Sequence, residues 1–522
     1  MPHNITHDQL RFLEQRFKAL MDAVPSDVAS LSELAHNYEA RGAIDEARKL
    51  YERIGEQVPF DIHNTMQELR CATNTCYWQR YEHLQRLVQG AVRYKRSWVT
   101  GETAIASPNL NAEDQRICAQ RNAEAICAHT KQETASPEDK SHQNALPTSG
   151  LGKPQLDGRK KLRVGFLGRD FYNQATTYLM VGLIEEHDRH SFDYIAFDYG
   201  PVRDDALHRR MVSAFDHFHR LHEESNESIC DLIRLEAIDV LIFLRAPTDA
   251  RCGILAMRPA KIQISYLYYP SSFGAGLVDA LVADPTIIPV GMESHYSEKI
   301  IRLPQCYQPN DAIRPVPQPA DREAFGLPKQ AFVLANFGQA YKLTPRMFDL
   351  WCDILRRRSH CVLWLLSSHP SVIRNLRFEA SVRGIHPDRL IFSPKVPTDR
   401  HLSRLTCADL ALDTHPYGGH TGTSDALWAG VPVLTLLGGT FASRVAASLL
   451  KATGMDDLIA RSEREYINIA LQMIDNPTAT VDRHIQLEAR RHHAPLFDIK
   501  AYTKAFEKML LTLTCKDPPE AI

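Results

Sequence analysis

The chain has 522 residues, of which 44% are hydrophobic and 24% charged, enough for two to four domains with sizeable cores. A net charge of −2 leaves no basic excess to suggest nucleic-acid binding. The eleven cysteines lack close-paired metal spacing, Cys71 and Cys76 being the nearest pair, and predict reduced thiols in the cytoplasm. The opening "MPHNITHDQLRFLEQRF" lacks the apolar core of an export signal. No run approaches the roughly 20 apolar residues that span a bilayer, so no membrane partner is expected.

In chain order, a repeat comes first. "VPSD" at 24–27 returns as "VPFD" at 58–61, an offset of 34 residues. Between them, Leu34, Ala35, Tyr38, Gly42, Ala47, Tyr51 and Pro59 fall at positions that resemble a tetratricopeptide helix–turn–helix unit. A single unit cannot bury its own faces, so it must stack on something. The helical pattern around "TMQELRCATNTCYWQRYEHLQRLVQGAV" is the candidate, and protein contacts are expected through this region. We place a helical region at 1–128 and a Ser-, Pro- and Gly-rich linker at 129–160, too polar to order itself.

From 161 the pattern alternates. "KLRVGFLG", "FDYIAFDYG" and "IDVLIFLRA" read as buried strands, with helices at "TTYLMVGLIEEHD" and "ESICDLIRLEA". "KIQISYLYY", "DALVAD" and "EKIIRLP" continue as strands. A second series begins with "AFVLANFG" and runs through "CVLWLLSS", "RLIFSP", "LALDT" and "VPVLTLL", again with helices between. The fold class is therefore α/β, with two Rossmann-like domains at 161–320 and 321–515 facing a cleft.

Polar residues follow successive strands of the second series: Gln339 and Lys342, then His401, then "HPYGGHTGTSD". Strand ends of one sheet converge, so these clusters predict one pocket. Gly418 and Gly419 permit a tight turn. His420, Thr421 and Gly422 would open a helix whose unpaired N–H groups suit a diphosphate. Lys342 would add a point charge, and Asp425 would accept from sugar hydroxyls. On these residues alone, a capped helix with a structural His and Asp remains an equal reading.

The stretch "LALDTHPYGGHTGTSDALWAGVPVLTLLGGTFASRVAASLL" resembles the signature of the protein O-GlcNAc transferase family, which includes SPINDLY-type enzymes. "LRVGFLGRDFYNQATTYLM", "YSEKIIRLPQCY" and "NFGQAYKLTPRMFDLWCDILRRRSHCVLWLL" follow family segments in the family's order, from about residue 60 to 510. The resemblance implies a GT-B fold and an inverting transferase that moves a sugar from a UDP-sugar donor to Ser or Thr of a polypeptide. It implies no metal and no cofactor besides the donor. By motif position, Gln339 and Lys342 would contact the diphosphate. His401, Arg404 and the Val396 backbone would hold uridine, His420 and Thr421 phosphate, and Asp425 ribose. Gly422 stands where many members carry a second Thr.

Lys342, His420 and Gln174 fall at the implied reacting centre. Gln174 replaces a histidine of relatives, and a carboxamide is no general base. Tyr268 stands where relatives have Gly or Ala beside the sugar, and Tyr417 shapes the other wall. The alternatives are a catalytically weak binding relative, or a transferase with a different donor or an Asn acceptor.

Overall fold

The computed structural model describes residues 27–94, 98–135 and 161–514. The repeat in the sequence is a repeat of helix starts. Asp27 caps the helix Val28–Ala40, accepting from the Ser30 N–H at 2.9 Å. Asp61 caps Ile62–Asn74, accepting from His63 and Asn64 at 2.9 and 3.3 Å. Gly42, at φ +77°, turns the chain into Ile44–Gln57, where Ala47 lies buried with Leu31, Ala35, Tyr51 and Ile54.

The pair does stack, first on Ile62–Asn74 and then through Tyr81–Arg93. This block is tied to the second α/β domain. Asn375 donates to the Thr75 carbonyl at 2.9 Å, Arg374 pairs with Asp45 at 2.9 Å, and the Trp78 and Phe348 rings meet at 5.4 Å. Two further helices, Gly101–Ala106 and Ala112–Ala135, lead towards the first sheet. The last continues to Ala135, so the boundary expected at 128 falls inside a helix, and the rest of the expected linker lies outside the described residues.

Two parallel sheets follow. In the first, β1 (Leu162–Gly168), β2 (Phe192–Asp198), β3 (His217–Arg220), β4 (Val240–Phe243), β5 (Ile262–Ser265), β6 (Ala280–Ala283) and β7 (Lys299–Arg302) lie in the order β3-β2-β1-β4-β5-β6-β7. In the second, β8 (Phe332–Asn336), β9 (Cys361–Leu366), β10 (Leu390–Ser393), β11 (Leu410–Leu412), β12 (Val433–Leu436) and β13 (Ile459–Ala460) lie in the order β10-β9-β8-β11-β12-β13. Each sheet winds one way from its first strand, then restarts beside it and winds the other way. The reversal falls between β1 and β4 in one sheet and between β8 and β11 in the other, where open parallel sheets leave a crevice.

The final helix, Ile499–Thr514, departs from the domain boundaries expected from sequence. It returns to the first domain, where Glu507 accepts from the Asp188 N–H at 2.7 Å and the Tyr502 hydroxyl donates to the Tyr307 carbonyl at 2.5 Å. Ser448 donates to Asp284 at 2.5 Å and Arg444 to the Thr286 carbonyl at 2.7 Å, joining the two domains below the cleft. Among the described residues no helix is long and apolar enough to cross a membrane.

Candidate active site

A cleft of about 1200 Å³ lies between the carboxyl ends of the two sheets, with the helix Ile62–Asn74 along one wall. On the second sheet it opens at the β8/β11 reversal. Asn336, the last residue of β8, donates to the Leu412 carbonyl of β11 at 2.7 Å and accepts from the Gly338 N–H at 3.0 Å. That pair of bonds fixes where the chain leaves the sheet. The Gln339 carbonyl then accepts from the Lys342 N–H at 3.0 Å across the single turn Ala340–Lys342, which brings Lys342 to the cleft.

The Lys342 ammonium donates to the Gly418 carbonyl at 2.8 Å and sits 3.8 Å from the centre of the Tyr417 ring. Burial lowers its pKa from 10.5 to about 8, against the opposing pull of the Asp413 carboxylate. Asp413 is buried just past β11. It accepts from the Gly419 N–H at 2.6 Å and the Thr435 hydroxyl at 2.7 Å. The glycines have a steric cause. A Cβ on Gly418 would lie 2.9 Å from an Asp413 oxygen, and one on Gly419 2.4 Å from the Thr423 hydroxyl.

His420 precedes the helix Thr421–Trp428. Burial and the nearby Lys342 charge push its pKa well below 6.5, so the imidazole is neutral, and its Nε2 is buried without a protein partner. Thr421 and Gly422 line the cleft at the first turn, where helical N–H groups lack intrahelical partners. Nothing lies within 4 Å of a Cβ built on Gly422, so the hydroxyl missing there is not excluded by space.

His401 also lines the cleft, 5.4 Å from the Phe337 ring. The Arg404 Nε–H donates to His401 Nδ1 at 3.0 Å, which assigns the ring proton to Nε2. Burial holds the His401 pKa down to about 4. Arg404 is itself buried, bonded to the Pro394 carbonyl at 2.6 Å, and acts on the cleft through His401. Val396 stands half-buried between β10 and the helix Thr398–Leu405, away from the cleft-lining set. Asp425 also lies outside that set. Its carboxylate is paired with Arg314, both side chains largely shielded from solvent.

The first sheet faces the same space with its own reversal. Arg245, just past β4, pairs with Asp170, just past β1, and with Asp249 at 2.9 Å. Its guanidinium lies 4.3 Å from the Tyr268 ring centre. Tyr268 reaches the cleft from a tight turn in which its N–H donates to the Tyr266 carbonyl at 2.9 Å, with Leu267 at φ +69°. Glu298 holds the following loop, accepting from Ser272 at 2.8 Å and from the Phe273 and Gly274 N–H groups at 2.5 and 2.8 Å.

Tyr417 completes an aromatic wall with Tyr341 at 6.0 Å. Gln174 is exposed and caps the helix Ala175–Glu185, while Ala175 and Thr176 beside it line the cleft. The structure thus gathers Gln339, Lys342, His401, His420, Thr421, Gly422, Tyr268 and Tyr417 around one space. Sequence reasoning assigned no role to Asp413 and Asp170, which lie inside the segments that carry the resemblance, nor to Arg245 and Arg314, single polar residues with no motif of their own.

Two facing Rossmann-like sheets with a cleft at both reversal points define a GT-B architecture. A solved O-GlcNAc transferase of Thermobaculum terrenum, a lysine-to-methionine mutant, shares it with a TM-score of 0.74 at 23% identity, covering 97% of this chain and 94% of that one. The chain belongs to glycosyl transferase family 41, whose model matches residues 149–317 and 313–506. A probable UDP-N-acetylglucosamine–peptide N-acetylglucosaminyltransferase SEC of Arabidopsis thaliana is 34% identical over 369 residues, 69% of this chain. A probable SPINDLY enzyme of Solanum lycopersicum is 26% identical over 364 residues, 67% of this chain. The chain spans 38% of the length of each of these two relatives.

Proposed function

We propose that the protein is an inverting glycosyltransferase that moves a sugar from a UDP-sugar to a Ser or Thr hydroxyl of a polypeptide. The observation that carries this reading is the convergence at the β8/β11 reversal. There Lys342, neutral His420 and the open first turn at Thr421 and Gly422 face one cleft. In the reaction the acceptor oxygen bonds to C1 as the bond from C1 to the phosphate oxygen breaks. The leaving diphosphate gathers negative charge, which Lys342 and the helix N-terminus stabilise in place. The acceptor proton leaves to a phosphate oxygen or a relayed water, since Gln174 offers no basic site. His401, oriented by Arg404, presents a ring N–H to the nucleotide end, and Gln339 borders the diphosphate.

Family membership supports the donor class, and the relatives' names point to UDP-N-acetylglucosamine and peptide acceptors. Tyr268 favours a more compact sugar, because its ring occupies the first-sheet side of the cleft beneath Arg245. His63, Gln67 and Arg70 of the helical region border the same cleft and offer a polypeptide a polar wall. Ten described cysteines are unpaired thiols, which supports a reducing compartment such as the cytoplasm. The test is intact-mass and peptide mass spectrometry after incubation with a panel of UDP-hexoses and Ser/Thr peptides. Absence of any mass gain with every donor, on protein and peptide alike, would refute the transferase reading.

A further inference from the structure

Gln308 lies past β7, and its backbone is fixed from several directions. The Tyr307 N–H donates to Asp284 at 3.0 Å, and the Tyr307 carbonyl accepts from the Tyr502 hydroxyl at 2.5 Å. Asp284 in turn accepts from Ser448 of the second domain at 2.5 Å. The Gln308 N–H itself meets the Cys306 sulfur at 3.4 Å. A frame built from both domains therefore sets the position of this one side chain.

Gln308 is fully buried, yet it borders the cleft. Neither Oε1 nor Nε2 has a protein partner. Among the described residues it is the one carboxamide with both polar atoms buried and bare. Only His420, among the described residues, shares with it an unpartnered buried side-chain atom on the cleft wall. Buried polar groups are paired in native proteins, because leaving them bare is costly. A rigid, bare carboxamide at the wall of a ligand cleft calls for a partner that arrives with the ligand.

The chemistry of that partner follows from the two atoms. Oε1 needs a donor and Nε2 needs an acceptor. A diphosphate supplies acceptors alone. A sugar hydroxyl supplies both, and adjacent hydroxyls supply them at a spacing suited to a carboxamide. The uracil edge also supplies both, but the proposed nucleotide end lies at His401 on the second sheet, whereas Gln308 follows β7 of the first. Resting on the donor reading above, we propose that Gln308 is a specificity-determining residue that reads hydroxyl groups of the nucleotide-sugar donor.

The test measures binding to the whole protein by calorimetry, with UDP-glucose, UDP, 2′-deoxy-UDP and pyrophosphate as probes. Gln308→Leu keeps the approximate volume and removes both polar atoms. It should weaken UDP-glucose about ten- to hundredfold, the penalty for burying a hydroxyl without its partner. Loss with UDP-glucose alone places the contact on the hexose. Equal loss with UDP, but none with 2′-deoxy-UDP, places it on the ribose. Either outcome supports the proposal, and equal loss with UDP and 2′-deoxy-UDP, which places the contact on the base, overturns it. Gln308→Asn, which keeps both polar atoms one bond shorter, should lose less.

The melting temperature of the free Leu variant should match or exceed that of the native protein, since it removes two bare polar atoms. A lower melting temperature in both variants, or equal weakening of pyrophosphate, would make Gln308 structural and overturn the proposal. Unchanged UDP-glucose and UDP affinities would overturn it as well. A native protein that binds none of the nucleotides would instead overturn the donor reading on which it rests.

Discussion

Replacing Lys342 with methionine keeps the apolar stem and removes one charge from a half-buried place in the cleft. Methionine preserves contact with the Tyr417 ring, so the loss is electrostatic. A charge-assisted contact to a leaving diphosphate in such a place is worth roughly 2–4 kcal/mol of transition-state stabilisation, or about 30- to 1000-fold in kcat. The lowered pKa makes this contact titratable. With a value of about 8 in the empty cleft, some nine-tenths of the lysine is charged at pH 7 and about one-tenth at pH 9. The donor's phosphates are already ionised across that range, their second pKa lying near 6.

UDP affinity should therefore fall about tenfold from pH 7 to pH 9 in the native protein and stay flat in Lys342→Met. Calorimetry in two buffers of different ionisation enthalpy counts the proton taken up on binding. A parallel fall in both proteins, or no proton uptake above pH 8, would remove Lys342 from the diphosphate site. The stability linkage runs the other way. The folded pKa lies below the unfolded 10.5, so the folded state disfavours the charge. That cost, roughly 3 kcal/mol, is complete below pH 8 and fades as pH rises towards 10.5. Free Lys342→Met should be more stable than the native protein at pH 7 and lose that advantage by pH 10.5. A variant less stable at pH 7 would mean that the bond to Gly418 outweighs the burial.

Gly422→Thr should fold normally, because nothing lies within 4 Å of the added Cβ, and should tighten UDP a few-fold by restoring a hydroxyl at the helix start. A drop in melting temperature would contradict the open space. Asp425→Ala leaves Arg314 buried and unpaired, so urea unfolding without ligand should show a loss of about 3–5 kcal/mol. Unchanged stability would mean that the carboxylate serves only a ligand. Tyr268→Gly removes a ring that fills the sugar side, and overfilling a packed site costs about 1–3 kcal/mol. Donor competition should then shift about ten- to hundredfold towards UDP-N-acetylglucosamine, while UDP affinity stays constant. If the native protein already prefers that donor and the ranking does not move, the steric argument fails.

The buried strands were legible because their apolar runs carry their own signal. β3, reading "HFHR", was not, because it is an edge strand paired only to β2 and need not be apolar on both faces. β13 has two residues and no periodicity to read. The second-sheet cluster was legible because one continuous loop carries most of it. Arg245 and Asp170 were not, although each stands within two residues of the end of a strand at the β1/β4 reversal. Strand order, which the sequence withholds, is what brings them together. Gln308 carried no signal at all, since its distinction is an absence of partners that only packing reveals.

The two halves of the cleft are built by different means, and this bears on how a donor preference could change. At the second sheet the wall proposed for the diphosphate is largely backbone beside Lys342: a turn forced by Gly418 and Gly419 against Asp413, and the first N–H groups of one helix. Side-chain drift touches such a site little, and Gly422 without its hydroxyl leaves the backbone donor in place. At the first sheet the space is shaped by side chains: Tyr268 on its strained turn, Arg245 across its face, and Gln308 set by a frame from both domains. A single substitution there alters volume or hydroxyl reading without disturbing the nucleotide. Of the departures from the family pattern, Gly422 in the second domain leaves the backbone N–H in place, while Tyr268 and Gln174 belong to the first. Change concentrated on that side is what a retained nucleotide site with an altered sugar requires. Decay after loss of function would instead have reached the Lys342–His420 side as well.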